Sequence, residues 1–341
     1  MGLLREFSQL NKTISIVGMA KNSGKTTTLN YFIEEAMDEN IALGVTSTGR
    51  DGESTDLVTG TDKPKVYLYE GTLVSVPTKL YELAEAGLEI LRMTEYRTSI
   101  GPLLLCRVVD SGYVQIAGPL TTKEHKLLCD EMLSLGAELI LIDGAIDRKS
   151  IAAPSTSDGV ILATGAVLSR NMKRVVEETA HVVGIYGLPV LENEKALSLI
   201  HEQGGNQILF LDQEEGGVQS RTYEGKTGLR ASRFLDEELK DCTRFIYLPG
   251  ALTSGVIEDI HPGKLKNLTF VLKDPTKIFI ESHSWQQWCK KGLRVFVIEN
   301  IHVLAVSVNP TAPTGYAFEH EELLASMRGA LPNLPILDVK R

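Results

Sequence analysis

Cysteine, basic clusters and long apolar runs are what this chain has least of. Its four cysteines, Cys106, Cys129, Cys242 and Cys289, are scattered through 341 residues with no CxxC pair and no histidine at ligand spacing. That pattern excludes a disulfide-framed scaffold and gives no zinc-finger signature. The formal net charge is −9, and lysines and arginines form no block. Nucleic acid and anionic membrane are therefore not expected partners. No apolar run reaches membrane-spanning length, and the opening MGLLREFSQLNKT holds no apolar segment of signal-peptide length. The expectation is a cytoplasmic protein. Internal repeats and low-complexity tracts are also missing. What remains, 43% hydrophobic and 23% charged, is ordinary globular composition. It is enough for two domains or one large α/β domain.

The most informative stretch comes almost at once, VGMAKNSGKTTTLNYF at residues 17–32. Before it, TISIV is short, β-branched and apolar, which reads as a buried strand. After it, Leu29, Phe32, Ile33, Ala36 and Met37 fall at helical spacing. Strand, glycine loop and helix together are the context that makes Gly-x4-Gly-Lys-Thr a Walker A phosphate loop. Gly18 and Gly24 let the backbone curl so that successive N–H groups face phosphate oxygens. The helix start adds its positive dipole end. Lys25 is expected to reach the β- and γ-phosphates of ATP, and the Thr26 hydroxyl to bind Mg²⁺. Gly18, Lys21, Asn22, Ser23, Gly24, Lys25, Thr26 and Thr27 form the expected nucleotide-contacting set. Lys21 either neutralises phosphate charge or points into solvent, and the sequence leaves both open.

A phosphate loop of this kind needs a second carboxylate on the metal side. AELILIDGAID at 137–147 offers Asp143 at the end of an unbroken apolar run, in the Walker B position. Gly144 would then let the chain turn close to the phosphates. A third stretch, LGVTSTGRDGESTD at 43–56, follows the first helix as a strand and a polar loop. Asp51 and Glu53 are candidates for binding Mg²⁺ or orienting water, and Arg50 for stabilising transition-state charge. A plain polar loop is the alternative.

The first half continues as strands alternating with helices. TKLYELAEAGLEILRM (78–93) has helical spacing, PLLLCRVV (102–109) reads as a buried strand, and TTKEHKLLCDEMLSLG as a helix ending at Gly136. GVILATG (159–165) reads as a strand before a helix in which Ser169 caps and Met172, Val175, Val176, Thr179 and Val183 face inward. This alternation predicts an α/β fold with a doubly wound, mainly parallel sheet of P-loop NTPase type. The texture changes near residue 190. Residues 1–190 are expected to be the nucleotide-binding domain, and 191–341 an α/β C-terminal domain or a continuation of the same sheet. The polar stretch 212–228 reads as a long loop, a flexible lid or an element that the sequence does not reveal. RFIYLPGALTSGVIEDI repeats strand, turn and helix without a Gly-Lys-Thr, with Thr253 as a helix cap. Trp285 and Trp288 read as packing residues. The loop NPTAPTGYAF (309–318) either contacts a nucleotide base or is a proline-stiffened turn.

The motifs in order resemble the dethiobiotin-synthetase and cobyric-acid-synthase branch of P-loop proteins, with MinD-like ATPases as wider kin. The chain departs from the MinD-like signature, since Met19 stands where those proteins carry a lysine. No Asn-Lys-x-Asp motif appears, which disfavours a Ras-like GTPase. GMAKNSGKTTTLN, TSTGRDGE, LIDGAIDRKS and ILATGA resemble more closely the P-loop subunit of the reactivating factor of the cobalamin-dependent lysine 5,6-aminomutase. That resemblance implies an ATP-dependent chaperone that releases damaged cobalamin from its client enzyme, working with a second, MutS-like ATPase subunit. No Asp-x-His-x-x-Gly cobalamin motif occurs in the chain itself. Two other readings stay in view. One is an ATP-dependent small-molecule ligase or kinase of dethiobiotin-synthetase type, with Arg148 and Lys149 as anion-binding groups. The other is a GTP-binding regulator.

Overall fold

The computed structural model describes residues 2–48, 65–98, 100–144, 156–223 and 231–339. Helix α1 (Leu3–Leu10) precedes strand β1 (Thr13–Gly18) and helix α2 (Lys25–Asp38). The 3.6-residue period of α2 buries Leu29, Phe32, Ile33 and Ala36, while Met37, expected on the same face, is exposed. Asn40, at φ +50°, turns the chain out of the helix. There follow β2 (Leu43–Ser47), β3 (Val66–Leu68), β4 (Leu73–Pro77), α3 (Thr78–Tyr81), β5 (Gly87–Thr98), β6 (Gly101–Asp110) and β7 (Gly112–Val114). Helix α4 (Thr122–Ser134) starts with a capping box. The Thr121 hydroxyl accepts the Glu124 N–H and donates to the Glu124 carboxylate. Next come β8 (Leu139–Asp143), β9 (Gly159–Gly165) and α5 (Met172–Tyr186).

The chain then runs through α6 (Glu194–Gln203), β10 (Ile208–Glu214), β11 (Gly217–Tyr223), α7 (Ala231–Glu238), β12 (Thr243–Leu248) and β13 (Leu252–Thr253). After these stand α8 (Ser254–Ile257), α9 (Pro262–Leu265), β14 (Thr269–Leu272), β15 (Ile278–Phe279), α10 (Ser282–Lys290) and β16 (Val295–Val297). It closes with β17 (Val303–Asn309), α11 (His320–Ala330) and β18 (Ile336–Asp338).

Two compact units result, residues 1–180 with 302–341, and residues 181–301. The boundary therefore differs from the expected division at 190, because the last forty or so residues rejoin the first sheet rather than the second unit. β17 runs parallel to β9, and that pairing gives its apolar residues Ala305, Val306 and Val308 a buried place.

The first unit is built on a nine-stranded sheet in the order β18-β17-β9-β1-β8-β2-β4-β6-β5. The strands from β18 to β4 are parallel, and β6 and β5 are antiparallel additions. Helices cover this α/β sheet, so its central strands are mostly apolar: Ile14, Ile16, Leu139 to Ile142 and Val160 to Ala163 are all buried. The second unit has a five-stranded sheet, β11-β10-β12-β14-β16, in which β12, β14 and β16 are parallel.

One local expectation fails here. Residues 78–93 form not one helix but the short α3 and then β5. β6 presents the fully buried Leu103 and Leu105, and β5 pairs with it along an exposed edge where Glu89, Arg92, Glu95 and Arg97 meet water. Tertiary pairing overrides a helical apolar spacing. The polar stretch read as a loop, a lid or an unseen element is, over its first twelve residues, the hairpin β10–β11, with Gly217 at φ +111° just after its turn. Residues 224–230 lie outside the described residues. Smaller differences concern caps. Asn171, not Ser169, accepts the Arg174 N–H at the start of α5, and Thr253 precedes α8 without a side-chain cap bond. Trp285 and Trp288 pack within the second unit, the first edge-on to His181 and the second bonding Ser254 beneath the Lys291 ammonium. Among the described residues no helix is long and apolar enough to cross a membrane.

Candidate nucleotide site

β1 and β8 pair in parallel register with Ile16 opposite Asp143. The strand that launches the glycine loop thus lies beside the strand that ends in the carboxylate. The carboxyl ends of parallel strands are where open α/β sheets bind ligands, because helix N-termini converge there. β1 is central in its sheet, between β8 and β9, so the loop at 18–25 is flanked on both sides.

The loop has the backbone that its glycines predict. Asn22 stands at φ +64° and Gly24 at φ +101°, both left-handed. Such residues interrupt a right-handed trace and turn neighbouring N–H groups toward one concavity. Asparagine is among the few residues with a side chain that tolerate this region. Gly18 has no room for a side chain. A Cβ there would lie 2.5 Å from Ser23 Oγ and 2.8 Å from Lys25 Cγ and Cδ. The lysine stem therefore passes directly over the Gly18 backbone. Gly24 is the N-cap of α2, and Lys25 is its first residue, so the ammonium and the free helix N–H groups share one end. Lys25 Nζ donates to the Gly144 carbonyl at 2.5 Å, which joins the loop to the end of β8.

These residues fit a bound phosphate chain. The Ser23 hydroxyl is 1% exposed and has no hydrogen-bond partner among the described residues. A buried polar group of this kind is costly unless something bonds it. The donor set is an ammonium, a hydroxyl and several backbone N–H groups, which is what an anion requires. Thr26, half-buried in the first turn of α2, and Asp143, half-buried at the end of β8, offer two oxygens of the type Mg²⁺ takes. Thr27 follows Thr26 in the same turn, and Lys21 is exposed at the loop's crest.

No protein-family model, curated protein or solved structure matches the chain.

Around the loop, Thr48 donates its N–H and hydroxyl to the Asp143 carbonyl, which ties the exit of β2 to the end of β8. Arg50, Asp51 and Glu53, expected on the γ-phosphate side, lie outside the described residues, as do Arg148 and Lys149.

Two residues near the site carried no motif in the sequence. His125 is 2% exposed on the inner face of α4, beside the backbone of Ser47, the last residue of β2. Burial lowers its pKa to about 4, with the nearby Ser47 backbone pulling the other way. The i, i+4 spacing of His125 and Cys129, whose Nδ1 and Sγ are 3.7 Å apart, marked them as one helical face but not as inward-facing. Asn309, at the end of β17, is the second. Its side chain meets the outside of the glycine loop, so the 309–318 segment stands beside that loop.

In the second unit Asp212, Glu214 and Cys242 come within 4.8 Å of one another. Asp212 is already bonded by Arg221, Thr243 and Lys240. That arrangement is a buried ion pair of the fold.

Proposed function

We propose that this chain is a Mg²⁺-dependent P-loop nucleoside triphosphatase that takes ATP. The observation that carries this reading is the close approach of Gly18, Ser23 and Lys25 at the start of α2, with a left-handed Gly24 beside them. In this reading Lys25 neutralises the β- and γ-phosphates, and the loop N–H groups and the Ser23 hydroxyl bond their oxygens. Thr26 and Asp143 hold Mg²⁺, with Asp51 and Glu53 as further candidates on the γ-phosphate side. When bound, the metal supplies charge neutralisation at the transferring phosphoryl group. Arg50 is the candidate for stabilising charge in the transition state.

The use of the nucleotide follows from the resemblance described above. We infer a protein-directed role, reactivation of a cobalamin-dependent aminomutase together with a MutS-like ATPase subunit. Hydrolysis would bias a two-state surface that the client reads. The test is hydrolysis with and without the client. A reactivase hydrolyses ATP slowly alone and faster with damaged aminomutase. Silence until a small carboxylic substrate is added would instead support a ligase of dethiobiotin-synthetase type.

A further inference from the structure

We propose that Asn309 is a positioning residue for the glycine loop, holding its left-handed turn from outside; the link to phosphate binding rests on the nucleotide reading above. The need for such a residue comes from the loop itself. Asn22 carries a side chain at φ +64°, which costs on the order of 1 kcal/mol for an L-residue, and a loop holding it needs outside support.

Asn309 supplies that support at two points. Its Nδ2 donates to the Asn22 carbonyl at 3.4 Å. Its Cβ lies 3.2 Å from where a Cβ on Gly24 would stand, so it occupies the space behind the turn. The two contacts bracket Ser23, the residue with the orphaned hydroxyl. Asn309 holds the peptide on one side of Ser23 and walls off the other.

Asn309 is itself fixed. It is the last residue of β17 and lies opposite Gly165 of β9 in parallel register. Its carbonyl accepts the Ala166 N–H at 2.9 Å. That carbonyl comes so near Gly165 that a Cβ there would lie 2.1 Å away. Its side-chain oxygen accepts the Thr311 N–H at 3.2 Å, which sets the carboxamide with its NH₂ toward Asn22. The segment beyond closes on itself through Phe318 N–H to Pro310 and Ala312 N–H to Tyr316, each at 2.9 Å. Tyr316 then places its hydroxyl between the carbonyls of Ser169, at 2.6 Å, and Ala166, either of which can accept its one proton. β17 thus reaches the glycine loop through one carboxamide.

A turn-forming role alone would also explain the Thr311 bond, and the test separates the two. Asn309→Ala removes the carboxamide bond to Asn22 and keeps only the Cβ behind Gly24, and Asn309→Ser keeps a short polar group that cannot reach Asn22. Amide hydrogen exchange is measured on residues 19–24 in each protein without nucleotide, and Mg-ATP affinity by titration calorimetry. The expected result is exchange about tenfold faster in this loop, with β9 and β17 unchanged, and about tenfold weaker Mg-ATP binding in both variants. Wild-type exchange in the loop of both folded variants overturns the proposal, whether or not their melting temperatures fall. If the wild type binds no nucleotide while loop exchange rises in the variants, the positioning role stands and the nucleotide reading falls.

Discussion

Lys25 and Gly144 meet across the loop, the lysine Nζ donating to the glycine carbonyl at 2.5 Å. The Gly144 N–H in turn donates to Ile16 of β1 at 3.0 Å. One residue therefore bonds both the strand that enters the glycine loop and the lysine that leaves it. The ammonium is held at the carboxyl end of the sheet by backbone groups that a side-chain substitution elsewhere does not remove. Lys25 is in this way prepositioned beside the loop N–H groups, and little side-chain entropy is left to lose on binding.

Gly18→Ala tests the close approach. The added methyl would stand within 2.8 Å of the lysine stem and 2.5 Å from the Ser23 hydroxyl. Overpacking of this kind costs about 1–3 kcal/mol, here paid by the loop geometry. Mg-ATP affinity should fall by about tenfold or more while circular dichroism is unchanged. Unaltered affinity in a folded Gly18→Ala protein would mean that the lysine stem does not need this path.

Asp143→Asn tests the metal side. An amide is a poorer ligand for a hard cation than a carboxylate. Nucleotide binding without Mg²⁺ should persist, and hydrolysis in saturating Mg²⁺ should drop on the order of a hundredfold. Unchanged turnover would leave Asp143 as a strand-ending residue only.

His125 makes stability depend on pH. Its folded pKa of about 4 lies below the ordinary value of 6.5, because burial disfavours the cation. Between those values the unfolded chain binds a proton that the folded chain refuses, so stability falls as pH drops through this window. The loss at pH 5 relative to pH 7 is roughly 2 kcal/mol. Denaturant titrations at the two pH values should show it, and His125→Gln should remove most of that difference. An equal pH dependence in the variant would assign the effect to other groups.

Arg221 guards a buried carboxylate in the second unit. Asp212 is 1% exposed, and burial alone would raise its pKa; bonds from Arg221 and Thr243 bring it below the usual value. Arg221→Ala leaves that charge with Thr243 and the more distant Lys240, and should cost about 3 kcal/mol at pH 7. The variant's deficit should be smaller at pH 3 than at pH 7, because without Arg221 burial raises the Asp212 pKa and favours its neutral form. A deficit that is the same at both pH values would contradict the ion-pair account.

The glycine loop and the two strands beside it were readable because local chemistry dictates them. Two glycines at fixed spacing, a lysine and an apolar run need no distant partner to be recognised. β5 was not readable, since its apolar residues repeat at helical spacing and only the buried face of β6 makes it a strand. The sequence allowed residues 191–341 either a domain of their own or a place in the first sheet, and it could not choose for β17, because pairing with β9 is set more than a hundred residues away. Asn309 shows the same limit within the candidate site. Nothing in Asn-Pro-Thr announces contact with Asn22, which is 287 positions distant.

Mg-ATP binding to the wild type and to Lys25→Ala, measured by titration calorimetry with melting curves for both, tests the account most directly. Lys25 faces Gly18 and the end of β8, and it contributes no side chain to the apolar core. The account predicts saturable binding by the wild type, no measurable binding by Lys25→Ala, and melting temperatures within a few degrees of each other. Near-equal affinity in the two folded proteins, or no binding by either, would contradict it.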